Sequence, residues 1–157
     1  QLVQLYRETW RKAGHRAGAE QIQTALHCYV AETHAEAMRG FKPRVERYVE
    51  VFSEAVGSWS RQDTGMQYAG YQKLVEGIRA TTAESMIENS QALCGTPDEV
   101  VEQVKYHREL FGEHEPSMQI NFGGMSEREA QRTLELFAAH VIPTFNEPAP
   151  APKAAGS

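Results

Sequence analysis

Two rhythms of hydrophobic spacing alternate along the chain, one near 3.6 residues and the other near two. Leu2, Leu5, Tyr6 and Trp10 share a helical stripe, predicting an amphipathic helix over 2–13 that Gly14 ends. Residues 22–31 are β-branched, aromatic and largely apolar on both faces at their end, as buried parallel strands are. Thr33 and Glu36 then form a capping box, which opens a helix through Val45, Tyr48, Val49, Phe52 and Val56. Gly40 and Pro43 predict a break or kink in it. Residues 57–70 mix glycine, polar and aromatic residues and predict a loop. A short helix follows at 71–78, and a capping box over Thr81–Glu84 predicts another through Met86 and Ile87.

The second half repeats strand and helix more tightly. Residues 91–94 predict a short strand opening through Gly95 into a helix with Thr96 as N-cap, Pro97 at its first position and two acids next. Val100, Val101, Val104, His107, Leu110 and Phe111 form its apolar stripe, and Gly112 ends it. Met118, Ile120 and Phe122 alternate, predicting a strand over 117–122. Ser126 and Glu129 cap a last helix that runs through Leu134, Phe137, Ala138 and Val141 to Pro143. From 147 onward the chain is rich in Pro and Ala, which predicts a disordered tail. Three strand–helix units with extra helices between the first two predict an α/β fold with parallel strands and ligand sites where strands end. An eight-stranded barrel takes about 250 residues, so the 157 here cannot close one alone.

Composition narrows the partners. A net charge of −5 disfavours nucleic acid, which requires a basic face, and no apolar run reaches the roughly 20 residues of a membrane span. Cys28 and Cys94 each sit inside an apolar run, which suits buried thiols in a reducing, cytoplasmic setting better than a disulfide. The helical spacing begins at the first residues without methionine, which predicts a region upstream.

Candidate chemistry is sparse, and each candidate has a plainer structural reading. Gly95 and Thr96 at a strand-to-helix junction can offer amides to a phosphate, or can simply cap a helix. Phe122-Gly123-Gly124 can let backbone approach a ligand, or can make a tight loop. His27 shares a strand face with Tyr29, opposite Cys28. It hydrogen-bonds a bound ligand on one reading and is a satisfied buried histidine on the other. Cys94 ends a strand beside a helix start, where a thiol pKa can fall, but no histidine is spaced to act as its base. Trp59 and Tyr68 either line an apolar pocket or pack against the helix at 71–78. The six histidines make no metal-binding spacing, and no phosphate-binding glycine fingerprint follows a strand.

Several motifs together carry more information. Tyr6-Arg7-x-x-Trp10-Arg11-x-Ala13-Gly14-His15, the strand ending Val30-Ala31-Glu32-Thr33, Gly95-Thr96-Pro97-Asp98-Glu99-Val100 and Asn121-Phe122-Gly123-Gly124-Met125 occur in that order. With the closing Leu136-Phe137-Ala138-x-His140-Val141-x-Pro143-x-Phe145, they resemble the carboxyl-terminal region of the bacterial-luciferase-like flavin monooxygenases. The resemblance covers residues 1–146 and implies the last part of a TIM (β/α)8 barrel, with a helical insertion at about 57–90. It implies reduced FMN, or in some relatives a deazaflavin, reacting with O2 to oxygenate a small organic substrate such as an aldehyde. A flavin reductase and a homo- or heterodimeric assembly are the implied partners. The alternative within the same fold is a non-catalytic flavin-binding or heterodimer-partner subunit.

The family's first strands have no counterpart here, so the resemblance transfers no catalytic residue. The positions it singles out are at strand ends, with Trp59 and Tyr68 from the insertion, and His27 joins them from its strand face. Gly95, Thr96, Asn121, Phe122 and Gly123 are expected toward the cofactor, and His27, Glu32, Trp59 and Tyr68 toward the substrate pocket.

Overall fold

The computed structural model describes residues 2–61 and 70–146, with the side chains of 59–61 and 70–72 outside that description. The elements are α1 (Leu2–Lys12), β1 (Gln23–Val30), α2 (His34–Arg61), α3 (Gly70–Arg79), α4 (Ala83–Glu88), β2 (Ala92–Gly95), α5 (Pro97–Phe111), β3 (Glu115–Gln119) and α6 (Glu127–Leu136). A π-helical turn, Phe137–Val141, and the short α7, Ile142–Phe145, follow. All strand pairs are parallel, as the strand–helix alternation predicts, and the sheet order is β2-β1-β3.

β1 takes the centre because it is the longest strand and its last five residues are buried. Its neighbours are staggered. β2 pairs with His27–Val30 and β3 with Gln23–His27, so the two share only the register of His27. A chain that moves from β1 to β2 and then back past β1 to β3 with right-handed crossovers must place the two connections on opposite faces. It does so: Tyr29, Ala31, Ala92 and Cys94 pack under α2 and α4, whereas Leu26, Cys28, Val30 and Leu93 pack under α5, α6 and the π-helical turn. Adjacent strands whose helices leave to opposite faces open a crevice at their carboxyl ends.

Side chains close part of the sheet's edges. The Gln103 side-chain amide donates to the Cys94 carbonyl and accepts from the Cys94 amide, both at 2.9 Å, as a neighbouring strand would on the outer side of β2. Beyond the end of β3, Thr133 Oγ1 accepts from the Val30 amide at 3.3 Å and donates to its carbonyl at 3.4 Å.

Several local expectations need correction. α2 runs unbroken through Gly40 and Pro43 and on to Arg61, so 57–61 are helical rather than loop, while 62–69 lie outside the described residues. Gly40 is demanded by packing, since a Cβ there would overlap the Tyr29 ring. The N-cap of α4 is Thr82, with Ser85 as its reciprocal partner, in place of a box over Thr81–Glu84. β3 ends at Gln119, because it pairs only with the amino-terminal half of β1, and Phe122 lies in the following loop. Leu110 is about half exposed and does not belong to the buried stripe of α5. The π-helical turn comes just before Pro143, whose ring would crowd the carbonyl four residues back in a regular helix; the wider turn relieves that crowding.

Candidate functional site

Parallel strands send the N-termini of α2, α5 and α6 to one rim of the sheet. Helix N-termini carry partial positive charge and four unsatisfied amides. Here each is closed by the chain's own carboxylate. The Thr33 hydroxyl accepts from the Glu36 amide at 3.2 Å and donates to the Glu36 carboxylate at 2.9 Å. Thr96 with Glu99 and Ser126 with Glu129 make full reciprocal boxes. Backbone hydrogen bonding at Thr96 is the main cause that holds the Glu99 carboxyl below its ordinary range, and His34 Nδ1 lies 3.0 Å from Glu99 Oε1. The Ser126 hydroxyl is the main cause that pulls Glu129 down to about 2.

A cleft of about 360 Å³ opens at this rim between α2 and α6, at the carboxyl end of β1. Tyr29, Glu32, Glu36, Arg39, Arg128 and Arg132 are among its walls. Glu32 pairs with Arg132 across it, and that contact lowers the glutamate's pKa. Below, Arg44 holds Glu129 through contacts of 3.0 and 2.9 Å, and the Tyr29 hydroxyl donates to the same carboxylate at 3.4 Å. Burial, followed by the Glu129 charge, raises the Tyr29 pKa. Arg39 and Arg128 are exposed and have no hydrogen-bond or ion-pair partner among the described residues. They leave two cationic groups at the mouth for an anion.

One turn of strand below the rim, on the α2 face, lies an aromatic nest. The His27 ring stands edge-on to Tyr48 and Phe122, at 4.4 and 4.6 Å between centroids, and Phe122 meets Phe41 at 5.8 Å. His27 is 7% exposed and its Nε2 has no hydrogen-bond partner. Burial lowers its pKa, which favours neutral imidazole.

The residues singled out from the sequence therefore separate into groups. His27 and Phe122 are in contact, and Glu32 lines the cleft. Asn121 is exposed on the loop after β3. Gly95 ends β2 beside Glu99, and the Thr96 amide donates to Glu99 Oε2 at 2.8 Å, so the anion at the start of α5 is internal. Gly123 has φ +55°, and a Cβ there would overlap the Arg44 carbonyl; its missing side chain admits the α2 backbone. The Trp59 side chain and Tyr68 lie outside the described residues. Cys94 is not an activated thiol, because burial pushes it up to about 12. The spacing of residues did not single out Arg39, Arg44, Arg128 and Arg132. Only the capping box at Ser126 hinted that Glu129 would matter.

Among the described residues no cluster of three or more metal-binding side chains occurs, and no helix is long and apolar enough to cross a membrane. No curated protein matches the chain. Solved structures do, among them two monooxygenases. One is the monooxygenase RslO1 from Streptomyces bottropensis, at 28% identity and TM-score 0.61, with 92% of this chain and 37% of that one covered. The other is the oxygenating constituent of 3,6-diketocamphane monooxygenase from the CAM plasmid of Pseudomonas putida, a type II Baeyer-Villiger monooxygenase in complex with FMN. It matches at 21% identity and TM-score 0.57, with 93% and 39% covered. This chain thus spans well under half the length of either, and its three parallel strands and flanking helices are a portion of their TIM-barrel fold. The sequence profile of luciferase-like monooxygenases matches residues 1–114, and the chain belongs to that family.

Proposed function

We propose that the chain forms the carboxyl-terminal portion of a flavin-dependent monooxygenase that uses reduced FMN and O2 to oxygenate a small organic substrate. Residues 57–90 are then a helical insertion, and the portion alone is inactive. The observation that carries the reading is the buried, unpartnered Nε2 of His27 on a ring-lined face beneath the carboxyl-end cleft, in a chain of this family. A neutral imidazole in an apolar surround accepts a hydrogen bond from a ring N–H or a substrate hydroxyl, which fits a planar flavin edge. A bound flavin would supply the redox chemistry.

The chain's own part is to bind, orient and exclude water. His27 would fix orientation, and Phe41, Tyr48 and Phe122 would keep the surround dry. Arg39 and Arg128 would hold the cofactor's phosphate, and Asn121, exposed on the loop after β3, would add a polar contact. The Glu32–Arg132 pair would keep the opposite wall neutral. Gly95, Thr96 and Gly123 would shape backbone without touching the ligand. A flavin reductase and a second subunit complete the assembly.

The test is to titrate the natural polypeptide that carries this chain with FMN, riboflavin and a deazaflavin, oxidised and reduced. The expected result is FMN binding that weakens about tenfold in Arg39→Ala/Arg128→Ala, with riboflavin unaffected. Preference for the deazaflavin would exchange the cofactor. Flavin binding without substrate-dependent O2 uptake would assign a non-catalytic partner subunit instead. No binding of any flavin in either redox state would end the reading.

A further inference from the structure

A second cavity lies on the opposite face of the sheet, away from the carboxyl-end cleft. It has a volume of about 200 Å³ and is bounded by Leu26, Val104, Met118, Phe137 and Val141 together with two histidines, His107 and His114. That is smaller than the roughly 300–1,000 Å³ of pockets for drug-sized ligands. It is of the order of the ~150 Å³ engineered apolar cavity that takes up benzene. One wall is the π-helical turn, a geometry that recurs at functional sites.

The polar groups of this cavity are unfinished. His107 is 2% exposed; neither ring nitrogen makes a hydrogen bond of good geometry, although the Ser90 backbone lies close enough to the ring to oppose the lowering of its pKa. His114 Nδ1 lies 2.8 Å from the Gly112 carbonyl, so it carries the proton and leaves Nε2 as a lone-pair acceptor; that atom is also buried and unpartnered. The two rings are 6.5 Å apart between centroids. Burial first, then the neighbouring His114, lowers the His107 pKa and keeps its ring neutral. Two imidazoles thus border a largely apolar cavity, at whose edge Arg108 lies over the Phe145 ring, and their buried nitrogens find no hydrogen-bond donor among the described residues.

We propose that this cavity binds a small monocyclic phenol, with its ring between Met118, Phe137 and Val141 and its hydroxyl donating to His114 Nε2, the nitrogen left free by the contact of Nδ1 with the Gly112 carbonyl. The ring fills the apolar volume, and the hydroxyl supplies the missing donor. Toluene, of nearly the same shape, offers no donor and serves as the matched control.

The experiment uses the natural polypeptide with carbon-13 methionine methyls, titrated with phenol and with toluene. Met118 lines this cavity, whereas Met86 and Met125 lie in the core under α2. Phenol is expected to shift the Met118 methyl saturably while leaving those two still, and to bind about tenfold more tightly than toluene. His114→Phe should erase the preference for phenol. His114→Gln, which retains an acceptor oxygen, should keep part of it. Equal affinities for phenol and toluene, a shift at Met86 or Met125 instead, or no saturable shift at Met118 would each overturn the proposal.

Discussion

The two faces of the sheet use the same three strands for different ends. Under α5 and α6 the contacts are aliphatic: Leu26, Cys28, Val30, Leu93, Val100 and Val104 interlock, and the buried hydroxyl of Thr133 is fully engaged. Under α2 the packing is aromatic and polar, with His27, Tyr29, Phe41 and Phe122 beside the Arg44–Glu129 ion pair, and with His27 Nε2 and Arg44 Nε buried without a partner. Aliphatic side chains fill volume without directional demands. Rings and titratable groups impose directions, and those directions have to be met by something. The comparison teaches that the first face fills volume and the second sets directions, with the cavity beside His107 as the first face's exception; the proposed flavin site draws on the second.

The sharpest way to break this division is Leu93→Ala. Leu93 is completely buried, so truncation should cost roughly 2–5 kcal/mol in urea unfolding. Flavin affinity of the folded protein should not change, and a parallel loss of affinity would show that the faces are not separable. Next comes Gly123→Ala on the aromatic side, which combines a left-handed backbone with an overlap against α2, for roughly 2–4 kcal/mol. Gly124→Ala, at φ +71° in open space, isolates the backbone part at about 1–2 kcal/mol.

Glu129→Gln should cost roughly 1–3 kcal/mol at neutral pH, because it weakens both the α6 cap and the Arg44 pair. Its sign with pH is defined. The folded-state carboxyl is pulled down to about 2 from 4.5, so its stabilisation is complete above the ordinary carboxylate pKa. That stabilisation drains away as pH falls through about 2. Acid titrations of the two proteins should converge in that window. The smallest stability effect is expected from His27→Phe. An orphaned buried nitrogen is removed with the ring shape kept, so stability should hold or rise by about 1 kcal/mol. Flavin binding should weaken about tenfold in the same variant, and unchanged binding would remove His27 from the site.

What could be read in the chain beforehand was local. The reciprocal caps at Thr96/Glu99 and Ser126/Glu129 need only a spacing of three residues, and α1, β1 and α5 follow from periodicity. The placement of Thr82 as a cap shows the limit, since its partner is Ser85 rather than a carboxylate. Strand order was out of reach, because it depends on which partner β1 meets far along the chain. The same holds for Arg44 with Glu129, 85 residues apart, and for Glu32 with Arg132, 100 apart. The sequence places His27 on a strand face and Phe122 at a strand end, and only their packing reveals them as one cluster. The glycines misled in a consistent way. Gly40 suggested a helix break and Gly123 a ligand approach or a tight loop, and the structure shows both letting one element press against another.

The amide of Gln103 and the hydroxyl of Thr133 have a consequence for how the sheet can be extended. Each occupies the hydrogen-bonding groups of one strand residue, Cys94 on one flank and Val30 on the other, where an incoming strand would dock. Propagation of the ladder is thereby forbidden at both carboxyl-end corners, which also blunts unwanted strand pairing between molecules. Among the described residues the outer edge of β3 has no strand partner, so a strand added to this sheet would find its backbone groups there rather than at the two corners that helix side chains occupy.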